Sequence, residues 1–243
     1  HDDEKLIGSL YYSFGFNGYI NNLTNIQKLI NNKNLNFCTY NKKNSKTSFS
    51  NSYYSKLLEN DKIVKNSYKL DNNLIITGPN ASGKTTLLKS TLFNTIICQQ
   101  IGCGFFDSAN INIYDYIHCY INIPDTSNRD SLFQAEARRC KEILTSIQEN
   151  KDKTHLCVFD EIYSGTNPDE AIKSAHGYLS YLNTMPNVNY VLTTHYHKLC
   201  KKLNTTTNKN YHMEILKNKE DFEFTYKIKK GISKIKGGIK VLE

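Results

Sequence analysis

The chain has 243 residues, 39% of them hydrophobic and 22% charged, the make-up of a globular protein with one large domain, or one domain and a smaller appendage. No run of about 18 apolar residues is present, as a membrane-spanning helix requires, and the charged opening His1 to Lys5 lacks the apolar stretch of a secretory signal. The net charge of +8 fits a polyanionic partner such as DNA, and it fits equally an AT-rich composition heavy in Asn, Lys, Ile and Tyr.

Residues 6–31 carry Leu6, Leu10, Phe14, Ile20, Leu23, Ile26 and Leu29 at mixed three- and four-residue steps, which predicts an amphipathic helix. Residues 41–52, NKKNSKTSFSNS, are polar and are expected to be a loop, with a core domain beginning near Tyr53. Leu74 to Thr77 is a short apolar run expected to be a buried strand, and Lys84 to Gln100 a helix. Residues 111–123 alternate as one or two strands, and Ser131 to Asn150 forms a second helix. Leu156 to Phe159 is a buried strand ending in Asp160 and Glu161, Pro168 to Asn183 a third helix, and Tyr190 to Thr193 a strand ending near His195. Residues 211–228 alternate around a polar turn and predict a hairpin. Strands that alternate with helices specify an α/β fold with a mainly parallel sheet, helices on both faces and antiparallel edge strands. In such sheets ligands bind beyond the carboxyl ends of the strands.

Three chemical groups converge at those ends. Gly78-Pro79-Asn80-Ala81-Ser82-Gly83-Lys84-Thr85 matches G-x-x-x-x-G-K-[ST] in full. Its glycines let successive backbone N–H groups curl around phosphate oxygens, and the helix behind adds the positive end of its dipole. Lys84 then neutralises the β- and γ-phosphates, and Thr85 offers a hydroxyl to Mg²⁺. The expected ligand is ATP with Mg²⁺. Asp160 is placed to bind the metal, and Glu161 to polarise an attacking water as general base. An acid pair also suits a helix N-terminus, the bland alternative. His195 is placed to donate a hydrogen bond to the γ-phosphate. Ser131 reads as an ordinary helix cap, or as an anion-binding helix N-terminus facing a neighbouring molecule. The seven cysteines form no C-x-x-C pair and are expected to be reduced thiols of an intracellular protein.

The ordered strings Ile75-Ile76-Thr77-GPNASGKTT, Gln100-Ile101-Gly102, SLFQAE, Phe159-Asp160-Glu161-Ile162-x-x-Gly165-Thr166 and Thr193-Thr194-His195-Tyr196-His197-x-Leu199 resemble the MutS mismatch-repair ATPases, members of the ABC-type P-loop NTPases. The resemblance covers roughly residues 53–240. It implies that Asn80 and the rest of the loop through Thr86 hold phosphates, that Ile63, Val64 and Asn66 border the adenine, and that Gln100 sits near Mg²⁺ and the γ-phosphate. It implies that Ser131 reaches the nucleotide of a second MutS-like subunit, homo- or heterodimeric. Residues 1–50 would be the end of a helical lever and residues 51–243 the ATPase domain. Double-stranded or mismatched DNA would be gripped by domains outside this chain, which lacks an initiator Met and is expected to be a fragment. Ala81-Ser82 stands where the family usually has Met-Gly, and Tyr163-Ser164 where it has Gly-Arg, which puts cross-subunit coupling in question. The composition and the GPNASGKTT and SGTNP variants look most like relatives from large DNA viruses. An ABC transport or chromosome engine would carry LSGGQ, where this chain has SLFQAE; a DNA-associated scaffold with weak turnover is the other alternative.

Overall fold

A computed structural model describes residues 2–41, 46–59, 62–71, 73–121, 123, 132–217 and 222–233. In chain order the elements are α1 (Asp2–Asn31), β1 (Asn36–Phe37), β2 (Thr39–Tyr40), β3 (Thr47–Ser52), a 3₁₀ turn (Ser55–Glu59), β4 (Asn66–Leu70), β5 (Asn73–Thr77), α2 (Lys84–Ile101), β6 (Cys103–Gly104), β7 (Ser108–Ile111), β8 (Tyr116–Tyr120), α3 (Leu132–Glu149), β9 (His155–Asp160), α4 (Pro168–Leu182), β10 (Val188–Thr194), α5 (His197–Lys202), β11 (Asn208–Lys217) and β12 (Phe222–Lys230).

The central sheet has the order β12-β11-β5-β10-β9-β8, parallel from β11 to β8 with β12 antiparallel at the edge. Its inner strands are apolar on both sides because both faces are covered. Ile75, Cys157, Phe159 and Leu192 point into one layer, against Cys140, Ile143 and Ile147 of α3 and Ala171, Ala175 and Leu179 of α4. Leu74, Ile76, Leu156, Val158 and Val191 point the other way, against Leu87, Leu88 and Leu92 of α2 and the aromatic Phe49, Tyr68 and Phe106. Neighbouring residues thus serve opposite layers, as the strand period of two requires.

Phe49 and Tyr68 belong to a second sheet of order β2-β7-β3-β4, and β1 pairs with β6 beside it. The segment expected to be a loop therefore ends in a strand. Thr47, Phe49 and Ser52 are buried, and the two buried hydroxyls among them are bonded. Thr47 Oγ1 accepts from Asn112 N at 2.9 Å, and Ser52 Oγ donates to Asn66 O at 3.3 Å. The boundary expected at residue 50 falls within β3, and the strands from Asn36 onward pair with those that follow it. Helix α1 stands apart from it. Leu6, Leu10, Tyr12, Phe14, Tyr19 and Leu23 are exposed, and only Ile26, Leu29 and Ile30 pack, against Leu35, Tyr53, Cys103 and Phe105. The apolar side chains of α1 run round the helix rather than along one face. All seven cysteines are free. Among the described residues no helix is long and apolar enough to cross a membrane.

Candidate nucleotide site

The central strands β5, β10 and β9 lie side by side, with Thr77 opposite Thr194 and Thr193 opposite Asp160. This register brings the loop after β5, the acids at the end of β9 and the histidine after β10 to one edge. The loop 78–83 turns sharply into α2. Gly83 has φ 95°, and a Cβ there would meet Tyr226 Cδ1 at 3.0 Å, so both backbone and space call for glycine. Ala81 takes the left-handed conformation at φ 61° without that freedom. Ser82 is buried, and its hydroxyl donates to Pro79 O at 2.8 Å, closing the loop on itself.

Lys84, the first residue of α2, is only 5% exposed. Its Nζ donates to Pro79 O at 3.1 Å and pairs with Glu161 Oε1 at 3.2 Å. Thr85 Oγ1 lies 3.1 and 3.0 Å from the two Asp160 oxygens. Thr193 holds the same carboxylate through its own hydroxyl. Two hard oxygen donors, a hydroxyl and a carboxylate, thus stand together, the donor set Mg²⁺ prefers.

Glu161 has φ 51°, a left-handed conformation that costs a non-glycine residue of order 1–3 kcal/mol and persists only where surrounding contacts impose it. Here its N–H donates to Thr193 O at 3.1 Å. His195 Nδ1 lies 3.6 Å from Glu161 Oε2, longer than a hydrogen bond, and its ring packs on Tyr196 with centroids 4.1 Å apart. The neighbouring imidazole is the largest influence on the Glu161 carboxyl; burial opposes it, and with the Lys84 ammonium added the carboxyl is held down at about 2.

Two cavities meet at Gly83, Thr86 and Tyr226. One, of about 530 Å³, is lined by Asn80, Ala81, Lys84, Thr85, Asp160 and Glu161, and also by Glu136 and Ser164. The other, of about 280 Å³, is lined by Val64, Asn66, Tyr54, Lys62 and Ser90. Ile63 does not line it; this side chain packs instead against the Leu35–Tyr53 cluster. The Asn66 amide is committed to β12, donating to Tyr226 O at 3.0 Å and accepting from Ile228 N at 2.8 Å. Gln100 is far from the phosphate loop, contrary to expectation. It sits in the last turn of α2, and at about 1.5 Å per residue the sixteen residues back to Lys84 span about 24 Å. Ser131 lies outside the described residues. A larger cleft, about 1190 Å³, between the second sheet and β11–β12 touches none of the motif residues.

Three residues at the site went unread in the sequence. Thr193 was placed at a strand end and in a motif string, without a role of its own. Glu136, four residues into α3, is 2% exposed, yet an acid at that place in a charged helix reads as solvated. Tyr226 sits in an alternating hairpin, in a tail that resembles the end of the family's nucleotide domain, and was given no role at the site.

A parallel sheet whose strand ends gather a glycine loop, a lysine at the helix start and an acid pair defines a P-loop NTPase-type domain. Residues 74–243 match the MutS domain V family. The chain is 33% identical over 174 residues to a protein named DNA mismatch repair protein MutS from Acholeplasma laidlawii, covering 69% of this chain and 20% of that protein. Over 197 residues it is 32% identical to the protein of that name from Prochlorococcus marinus, covering 78% and 21%. To DNA mismatch repair protein MSH3 of Debaryomyces hansenii it is 33% identical over 191 residues, covering 74% and 18%. The chain belongs to the MutS family. It spans about a fifth of the length of these curated relatives.

Proposed function

We propose that this chain is the C-terminal ATPase domain of a MutS-like mismatch-repair or recombination protein, that it binds and hydrolyses ATP, and that a second subunit completes its site. The observation that carries this reading is the joining of Lys84 to Glu161, and of Thr85 to Asp160, across the ends of strands from distant parts of the chain. The loop of residues 78–83 cradles the phosphates with its backbone N–H groups. The base enters the 280 Å³ cavity beside Val64, with the Tyr226 ring at its mouth. Thr85 and Asp160 hold Mg²⁺, which when bound neutralises charge on the phosphate oxygens.

The resting contacts of Lys84 indicate how the acid becomes a base. Pro79 O and Glu161 Oε1 occupy the ammonium in the place of phosphate oxygens. Once phosphates take Lys84 over, Glu161 loses its cationic partner. The loss of that partner removes one of the two influences that hold its carboxyl down, and so raises its affinity for a proton. His195 stays beside it, with Nδ1 3.6 Å from Oε2. Closure of two such domains on the nucleotide, with α3 facing the partner, would pass the state of the site to DNA-holding domains as a difference in affinity. The AT-rich composition supports a divergent member of the family; the relatives named above are bacterial and yeast.

Glu161→Gln is expected to bind ATP as the parent does, to lower turnover by about a hundredfold or more, and to accumulate the ATP-bound dimer in size-exclusion runs. An unchanged steady-state rate would remove Glu161 from the base role.

A further inference from the structure

The turn 161–165 is held on three sides. From β10, Thr193 O accepts from Glu161 N. From β8, Tyr120 OH accepts from Tyr163 N at 3.2 Å. From α3, Glu136 supplies a carboxylate whose Oε1 accepts from Ser164 N at 2.9 Å and Ser164 Oγ at 3.0 Å, while Oε2 accepts from Gly165 N at 3.0 Å. The α3 clamp alone brings a carboxylate, and bonds to an ionised acceptor are about twice as strong as neutral ones. Two successive N–H groups converging on one anion form a backbone nest, and here the anion is a side chain of the protein itself.

The fit leaves no slack. A Cβ on Gly165 would lie 2.7 Å from Leu132 Cγ and 2.9 Å from Phe133 N, in the first turn of α3. The Phe133 and Tyr163 rings are 5.6 Å apart. Glu161 and Tyr163 both take left-handed backbone conformations, at φ 51° and 58°, which surrounding contacts must impose. Helix α3 is therefore fastened, through Glu136, to the turn that sets the direction of the Glu161 side chain.

We propose that Glu136 is a positioning residue: by filling the nest at Ser164 and Gly165 it makes the aim of the Glu161 carboxylate depend on the placement of α3. This rests on Glu161 acting in hydrolysis, and it adds the means of control. A shift of α3 on meeting a partner pulls the 161–165 turn, while the phosphate loop, on a different strand, stays where it is. ATP binding and ATP cleavage are thereby separable.

Glu136→Gln keeps the shape but turns one acceptor into a donor facing N–H groups. The expected result is a kcat at least tenfold lower, a KM for ATP and an affinity for a fluorescent ATP analogue within about twofold of the parent, and faster amide hydrogen exchange at residues 162–165. Gly165→Ala, which pushes the turn off α3 while keeping Glu136, is expected to show the same split. Added to Glu161→Gln, the Glu136→Gln change is expected to cost no further turnover, because both act through one carboxylate. Equal loss in affinity and kcat, additive loss in the double variant, or unaltered exchange in the turn would overturn the proposal. A parent chain that turns over no ATP would instead reject the proposed function, and the exchange comparison still decides the role of Glu136.

Discussion

Glu161 meets opposing demands. Its backbone is left-handed, its carboxylate is tied to Lys84, and His195 stands beside it. The same contacts make the fold sensitive to acid. A carboxyl held at about 2, against an ordinary 4.5, contributes stability that is complete above pH 4.5 and is lost as pH falls toward 2. His118 adds a second window. His155 Nε2 lies 3.0 Å from Asn150 O and must donate to it, so His155 Nδ1 accepts from His118 Nε2 at 3.0 Å. Burial first, then the neighbouring His155 and Arg139, press the His118 imidazole down to about 4 from 6.5. The unfolded chain takes up that proton between pH 6.5 and 4 while the folded chain refuses it, so stability falls as pH falls through this range. Thermal melts from pH 7.5 to 4.5 are expected to show a falling Tm that flattens in His118→Gln. An equal slope in that variant would place the acid sensitivity elsewhere. Lys84, Thr85, Asp160, Glu161 and His195 were legible because their chemistry fixes residue type and spacing. Glu136 and Thr193 stood in the quoted strings without a role, because each acts through a partner that only the folded chain supplies, as does Tyr226.

The strands around the phosphate loop were readable for a related reason. Leu74 to Ile76, Leu156 to Phe159 and Val191 to Leu192 are apolar without interruption, and burial on both faces leaves little other use for such runs. Strand β3 was hidden because the Thr47 and Ser52 hydroxyls are satisfied by groups elsewhere in the chain, Asn112 N and Asn66 O, an arrangement that composition alone reads as a loop. Gln100 was misplaced because a motif string carries order but not the length of the helix it rides on. Helix α1 offers a test of where the domain begins. A chain starting at residue 24 keeps Ile26, Leu29, Ile30 and everything they touch, so its Tm is expected within about 2 °C of the parent. A chain starting at residue 41 loses Leu35, β1 and β2, and a fall of about 10 °C or more is expected. Equal melting of the two shortened chains would contradict this account of the domain's edge.

In the molecule as a whole, the second sheet and α2 cover one face of the central sheet while α3 and α4 cover the other. The phosphate loop therefore belongs to one layer and the Glu136 clamp to the other, and they meet only at the strand ends. That division suits a device in which one layer grips the nucleotide and the other decides when it is cleaved. The family assignment rests on residues 74–243; the contacts of Lys84, Thr85, Asp160 and Glu161 lie within the same stretch, while Tyr54, Lys62, Val64 and Asn66 of the smaller cavity lie before it. The proposed function depends on Lys84, which is buried and held by Pro79 O and Glu161. Calorimetric titration of MgATP into the parent chain and into Lys84→Ala measures this directly. Saturable binding of one ATP per chain, abolished in Lys84→Ala, is the predicted result; no binding to the parent, or parental affinity in the variant, would contradict it.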